Sequence, residues 1–224
     1  MRPALIAMML AITATLSAQT RRYPLDSVAG LRLHNVAAQA ATLDGRRGVR
    51  LANAIQTADS EPLAVIEGLD FASGVIEAEI AGVPAPDAGA GARGFVGIAF
   101  RVQPDMKTYD AFYLRPTNGR AEDQERRNHA TQYISHPTWT WSRLRQESPS
   151  KYESYVDLLP NVWTKIKIEV RGDKARLYVN DISQPVLIVN DVKSGATARG
   201  GVALWIGPGT IGHFRNLTVT PAAP

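Results

Sequence analysis

The sequence predicts an all-β fold, an antiparallel two-sheet jelly-roll sandwich, and three observations carry that expectation. After Ala18, short runs alternate apolar and polar residues at period two. Gly, Pro, Asn and Asp separate those runs at close intervals. Apolar spacing of the i, i+3, i+4 kind, which would mark amphipathic helices, is almost missing. Roughly a dozen short strands with frequent turns fold as two packed sheets, with a barrel as the alternative closure.

Taken in order, the chain opens with Met1-Arg2-Pro3, an apolar run from Ala4 to Ser17, and the small Ala18. A short basic region, an apolar stretch and a small residue at the cut form a secretory signal-peptide pattern. Residues 1–18 are therefore read as a leader, and 19–224 as one domain exported to the periplasm or beyond. The apolar run is shorter than the ~20 residues of a membrane span, and no later segment could serve as one.

Leu31–Leu43 and Gly48–Leu51 read as an opening strand pair across Asp44-Gly45. Leu63–Ile66 is short and apolar, and Gly74–Ala81 alternates cleanly. Val83–Gly94 is a Pro/Gly/Ala loop. Phe95–Val102 sets Val96, Ile98, Phe100 and Val102 on one face and Arg101 on the other. Tyr109–Arg115 turns Phe112 and Leu114 inward, and Tyr109, Tyr113 and Arg115 outward. Asp110 shares the inward parity and would need a buried partner. Glu122–Arg127 reads as a charged, solvated loop. His129–Ile134 and Tyr152–Leu158 follow. Trp163–Val170 pairs with Lys174–Asn180 across Gly172-Asp173, as a hairpin would. Val186–Val189, Gly201–Ile206 and Gly212–Thr220 close the chain. In the last of these, Phe214 and Leu217 have opposite parity, which predicts a bulge near Asn216.

Composition narrows the function classes. With no cysteine, disulfides, thiol catalysis and lipid attachment through cysteine are excluded, and a core of this size does not need cross-links. The net charge of +4 is spread among acids, with no basic block of the kind that binds nucleic acid.

The informative stretch is Tyr109 to Tyr155. It holds eight of the chain's sixteen aromatics, six arginines, and two of the four histidines. Aromatic faces beside fixed polar groups suit a flat polar ligand such as a sugar ring. The outward parity of three candidate strands gives Arg101; Tyr113 and Arg115; and His129, Thr131 and Tyr133. Trp139, Trp141 and Arg143 would join them if Pro137–Tyr152 is extended, although a tryptophan is more often packed into a core. His129 and His136 do not have a metal-ligand spacing, and no metal or cofactor is expected. Glu153 and Asp157 alternate outward and are the weak candidates for a catalytic carboxylate pair.

Several segments resemble known domains. Leu69–Ile80 (LDFASGVIEAEI) and Gly94–Arg101 (GFVGIAFR) look like early strands of concanavalin A-like lectin/glucanase domains. Trp163–Val170 with Ala175–Asn180 resembles the hairpin of laminin-G-like domains. Gly200–Leu217 (GGVALWIGPGTIGHFRNL) is similar to their closing pattern, which also occurs in secreted bacterial domains of the keto-disaccharide hydrolase-like kind. The resemblance covers roughly residues 69–219 and implies a concanavalin A-like jelly roll, a fold that serves both lectins and glycosidases. The E-x-D-x-x-E strand that many of those glycosidases carry is missing, since Glu77 and Glu79 lie on an early scaffold strand. The expectation is therefore a secreted lectin-like module holding a saccharide on its concave sheet. A glycoside hydrolase using Glu153 or Asp157, or a laminin-G-like protein-interaction module, is the alternative. No motif specifies the sugar or the oligomeric state.

Overall fold

The alternation in the sequence is realised as strands with very few helical turns. The computed structural model describes residues 19–54 and 62–223, so the leader expected at residues 1–18 lies outside the described residues. Fifteen strands are described: β1 (Arg21–Tyr23), β2 (Leu31–His34), β3 (Val36–Leu43), β4 (Arg46–Asn53), β5 (Leu63–Ile66), β6 (Gly74–Pro84), β7 (Val96–Val102), β8 (Tyr109–Leu114), β9 (Thr131–His136), β10 (Glu153–Ser154), β11 (Thr164–Arg171), β12 (Lys174–Val179), β13 (Leu187–Val189), β14 (Gly201–Ile206) and β15 (Thr210–Pro221). Two short helices interrupt them, α1 (Gln124–Asn128) and α2 (Trp141–Glu147), with a 3-10 turn at Pro116–Asn118.

The strands form two antiparallel sheets. One runs β13-β12-β11-β6-β15-β4-β3, with β1 added on β15, and the other runs β10-β9-β8-β7-β14-β5-β2. The expected hairpin across Gly172-Asp173 is present, as β11 pairs with β12 from Arg171↔Lys174 to Ile166↔Val179. Asp44-Gly45 likewise joins β3 to β4. The stretch expected as one strand from Leu31 to Leu43 is two, broken at Asn35, whose φ is 55°. Its halves enter different sheets, because a left-handed residue turns the chain out of the pleat. The bulge foreseen near Asn216 lies between Arg215 and Thr218, with Asn216 at a φ of 50°.

Register assigns each side chain to a face, since residues directly opposite one another in a ladder share it. Phe112 lies opposite Ile98, and Ile98 opposite Leu204, all buried. The β11 side chains Ile166, Ile168 and Val170 and Phe214 of β15 join them in the core. Fully burying a side chain of this size stabilises by about 1.5–3 kcal/mol, so this core is the main source of stability.

The same register corrects three sequence expectations, because Thr131, opposite the inward Leu114, is buried along with Tyr133 and Arg101. Tyr133 is opposite Phe112 and faces the core. The error is one of phase: α1 ends at Asn128 with His129 as its C-cap, so the strand begins only at Thr131, and Gln132 rather than Tyr133 takes the outward position opposite Tyr113. Arg101 is also buried. It is the extra residue of a bulge, unpaired between Phe100↔Val202 and Val102↔Gly201, with a φ of 56°. Its guanidinium donates to the carbonyls of Ala72, Gly172 and Gly195 and to Ser194 Oγ.

Asp110 is buried as its parity foretold, and its partners are present. Tyr133 donates its hydroxyl to Asp110 Oδ1 at 2.6 Å, and Ser194 Oγ meets the other oxygen. Burial pushes the Asp110 carboxyl up, opposed by those hydrogen bonds and by the charge of Arg101. Tyr133 Oη also accepts from the Lys193 main-chain N at 2.8 Å, which ties the segment after β13 to the sheet. Tyr133→Phe removes both bonds, so the buried Asp110 carboxyl loses one donor and the Lys193 main-chain N its acceptor. The expected loss is about 1–3 kcal/mol in urea denaturation with an unchanged β-type circular dichroism spectrum.

Candidate functional site

The outward row of the seven-stranded sheet runs Glu153, Gln132, Tyr113, Gly97, Trp205. Gly97 is required there. A Cβ would run into the Phe112 carbonyl and lie 2.6 Å from Tyr113 Cβ. Without it, the Tyr113 and Trp205 rings stack over the gap, with centroids 4.7 Å apart. Trp205 Nε1 donates to Tyr109 Oη at 3.0 Å, so the indole is fixed at both edges.

Beside Tyr113 lies a cleft of about 720 Å³. Its buried lining is Tyr113, Arg115 and Asn118, with His129 half-buried next to them. One wall is the loop that carries Arg93 and Phe95, and another is α1 with Arg126. Helix α2 contributes Trp141 and Arg145, and the turn at Pro208 and Gly209 closes the far side. Local sequence explains both helices. Asp123 Oδ1 accepts from Arg126 N at 3.0 Å and Thr140 Oγ1 from Arg143 N at 3.4 Å, so each helix starts on a capping side chain. The i, i+4 spacing then puts Trp141 and Arg145 on one face, toward the cleft.

Beneath the lining lies a buried carboxylate. Arg145 Nε and Nη2 donate to the two Glu153 oxygens at 2.8 and 2.7 Å. Arg115 Nη1 and His129 Nε2 lie 3.6 and 3.4 Å from Glu153 Oε2. Arg115 also donates to Tyr113 Oη, Gln132 Oε1 and the His129 carbonyl, each at 3.0 Å. Burial pushes the Tyr113 hydroxyl up. Burial also lowers the His129 imidazole, with Arg145 and Arg115 pressing the same way against the pull of Glu153. The result is a rigid array of donors around a recess, with the indole of Trp141 47% exposed at its rim.

Of the nominated residues, Tyr113, Arg115, His129 and Trp141 meet at this cleft, while Arg101 and Tyr133 lie in the interior. Trp139 and Arg143 lie outside the lining. The segment expected to be extended is helical from Trp141, so the two tryptophans do not share a face. Trp139 packs against the core, with Arg143 Cζ 4.1 Å and Lys193 Nζ 4.6 Å from its ring centroid. Glu153 and Asp157 do not converge. Glu153 is enclosed by its cations, whereas Asp157 is exposed and bidentate to Arg120 at 2.7 and 2.8 Å. Glu77 and Glu79 sit opposite Lys167 and Lys165 on the other sheet, as scaffold. Among the described residues, no three His, Cys, Asp or Glu side chains are grouped to hold a metal ion.

Arg93, Asn118, Arg126 and Gln132 were missed. The stretch Glu122–Arg127 carried a usable signal, because an Asp followed by Gln, Glu and Arg is a capped helix start. Arg93 gave none, as nothing local brings a Gly/Ala loop to a strand end.

No family model matches the chain, and no curated protein matches it in sequence. Solved structures do match. Carbohydrate binding module CBM66 from Bacillus subtilis superposes with a TM-score of 0.57 at 15% identity, over 85% of this chain and 96% of that one. A prokaryotic β-1,3-1,4-glucanase (lichenase) from a mouse hindgut metagenome gives 0.51 at 11%, over 91% and 99%. The fold is that of the concanavalin A-like lectins and glucanases. A Bauhinia forficata lectin in complex with GalNAc adds a third example, with a TM-score of 0.50 at 11% identity over 92% of this chain and 99% of that one. At these identities the likeness is one of fold. The segments that resembled this superfamily in sequence form β6, β7, the β11–β12 hairpin and β14–β15, so they are the strands of the sandwich.

Two outcomes test the site. Glu153→Ala leaves Arg145, Arg115 and His129 around an uncompensated hole, so it is expected to cost about 3–5 kcal/mol in denaturant unfolding. Asp157→Ala, which removes an exposed pair, is expected to leave the midpoint unchanged. The second concerns pH. Folding lowers the affinity of His129 for its proton, so its contribution is full above about pH 6.5. It is lost as pH falls through the lower folded pKa, because the unfolded chain then binds more protons. His129→Gln is expected to flatten the decline in melting temperature over that acidic window.

Proposed function

We propose that this chain is an exported, lectin-like carbohydrate-binding protein that takes a saccharide in the cleft beside Tyr113. The observation that carries the reading is the half-exposed indole of Trp141, standing over a recess whose polar groups are already fixed. An indole left in water loses the stabilisation of burial, and the C–H face of a sugar ring restores it. The hydroxyls of that ring would then accept from Arg115 and Arg145 and pair with Asn118. A volume of about 720 Å³ falls in the range of small-ligand clefts. The carbohydrate-binding module and the lectin of the same fold add weight to the reading. It also differs from the flat, open apolar face that a protein-interaction module would present.

The hydrolase reading has less support. Hydrolysis of a glycoside uses two carboxyl groups flanking the bond, roughly 5–10 Å apart. Here Glu153 is held by Arg145 below the lining and Asp157 points elsewhere, so the two acids named for that role do not form such a pair. Export rests on the Met1–Ala18 pattern. No helix among the described residues is long and apolar enough to cross a membrane.

A glycan array followed by calorimetry on its best ligand tests the proposal. Trp141→Ala is expected to weaken binding about tenfold or more, equivalent to at least ~1.4 kcal/mol, with an unchanged melting temperature. Equal affinity in the variant would place the ligand elsewhere.

A further inference from the structure

We propose that the cleft selects acidic saccharides, with the anionic group of the sugar held between Arg93 and Arg126. This rests on the lectin-like reading above and adds the class of ligand. The observation is a difference in how the arginines are partnered. Arg120, Arg143, Arg145 and Arg199 each bind a carboxylate directly, at 2.7–2.8 Å. Arg93 and Arg126 do not. Among the described residues, Arg93 Nη1 donates to the carbonyls of Ala90 and Ala92, at 2.6 and 2.9 Å. Arg126 Nε donates to Asn118 Oδ1 at 3.0 Å, and its Nη2 to Thr117 Oγ1 and O at 3.2 and 3.4 Å. Among the described residues, neither forms an ion pair.

The two groups are brought together by Thr117. Its main-chain N and Oγ1 both approach the Arg93 carbonyl, at 3.4 and 3.5 Å, while its side chain receives Arg126. The result is two half-buried guanidinium groups on adjoining walls of one cleft, with Arg115 behind them. Burial makes the Arg93 guanidinium less ready to hold its proton, and the charges of Arg126 and Arg115 add to that. A guanidinium stays charged regardless, so the repulsion persists until an anion arrives. Acids are present too: Asp123 and Glu125 line the rim, and Glu153 lies beneath. Against them stand Arg93, Arg115, Arg126 and Arg145, which leaves one positive charge over with His129 neutral. Asp123 meets Arg126 through its main-chain N, as a helix cap, and leaves the guanidinium itself to other acceptors.

A forked guanidinium matches the two oxygens of a carboxylate or sulfate, so a uronate and a sulfated sugar share the required chemistry. Calorimetry on the full chain would use four probes: a tetragalacturonate, its methyl ester, a sulfated oligosaccharide and a neutral gluco-oligosaccharide. The expected result is at least tenfold tighter binding of an acidic probe than of the methyl ester or the neutral sugar, falling with added salt. Preference for the galacturonate assigns a carboxylate, and preference for the sulfated probe assigns a sulfate ester. Arg93→Gln and Arg126→Gln should each remove about tenfold from acidic binding only, whereas Trp141→Ala should weaken every probe that binds. Arg126→Lys, which keeps the charge and loses the fork, controls for folding and should retain part of the preference. Neutral and acidic probes binding equally, with the arginine variants silent and Trp141→Ala still damaging, would overturn acid selection and leave the lectin reading standing. Failure of every probe to bind would overturn acid selection, and failure of the whole glycan array would overturn the lectin reading itself.

Discussion

Burying the carboxylate of Glu153 obliges everything around the cleft to be where it is. A charge removed from water must be met by opposite charge and by hydrogen bonds, and three elements supply them. Arg145 reaches down from α2, Arg115 from the end of β8 and His129 from the end of α1, while β10 holds the acid itself against β9. Each contact fixes the angle of the element that carries it. The helix that presents Trp141 is therefore oriented by the partner of its own Arg145, one turn further on. Without that anchor, a seven-residue helix would have little to hold it, since only Leu144 among its residues is buried.

A second buried acid has a different task. Asp110 lies between the sheets, and its partners Tyr133 and Ser194, with Arg101 close by, gather chain segments far apart in sequence. The polar groups satisfy one another, so the interior tolerates a carboxylate and a guanidinium among phenylalanines and leucines. One buried cluster closes the sandwich at the segment after β13, and the other shapes a recess on its outward side.

The sequence was more legible for scaffold than for site, and particular residues show why. The strands from Gly74, Val96, Thr164 and Gly201 could be read because alternation at period two is a local property, and burial on one side imposes it directly. The inward placement of Asp110 and the outward placement of Tyr113 follow from that same period. Legibility ended wherever the period was interrupted. Arg101 sits on a bulge, and the helical turn before Thr131 resets the phase that would have exposed Tyr133. Arg93 and Arg126 are far apart in sequence, one on the loop before β7 and the other on α1 before β9, and they meet because those two strands start at the same end of the sheet. Proximity of that kind is set by topology and leaves no mark on composition.

The division between strand and connection has a consequence for how such a molecule changes over generations. The stacked Tyr113 and Trp205 lie on a row that Gly97 leaves no room to alter, so most substitutions there disturb several strands at once. The segment with Arg93 belongs to no ladder, and its residues Gly89 and Gly91 have open space around them. Drift can therefore rewrite one wall of the recess while the platform beneath stays constant. A lineage built on this scaffold could acquire new specificities by exchanging a loop of about ten residues, a length that loops accommodate at little entropic cost.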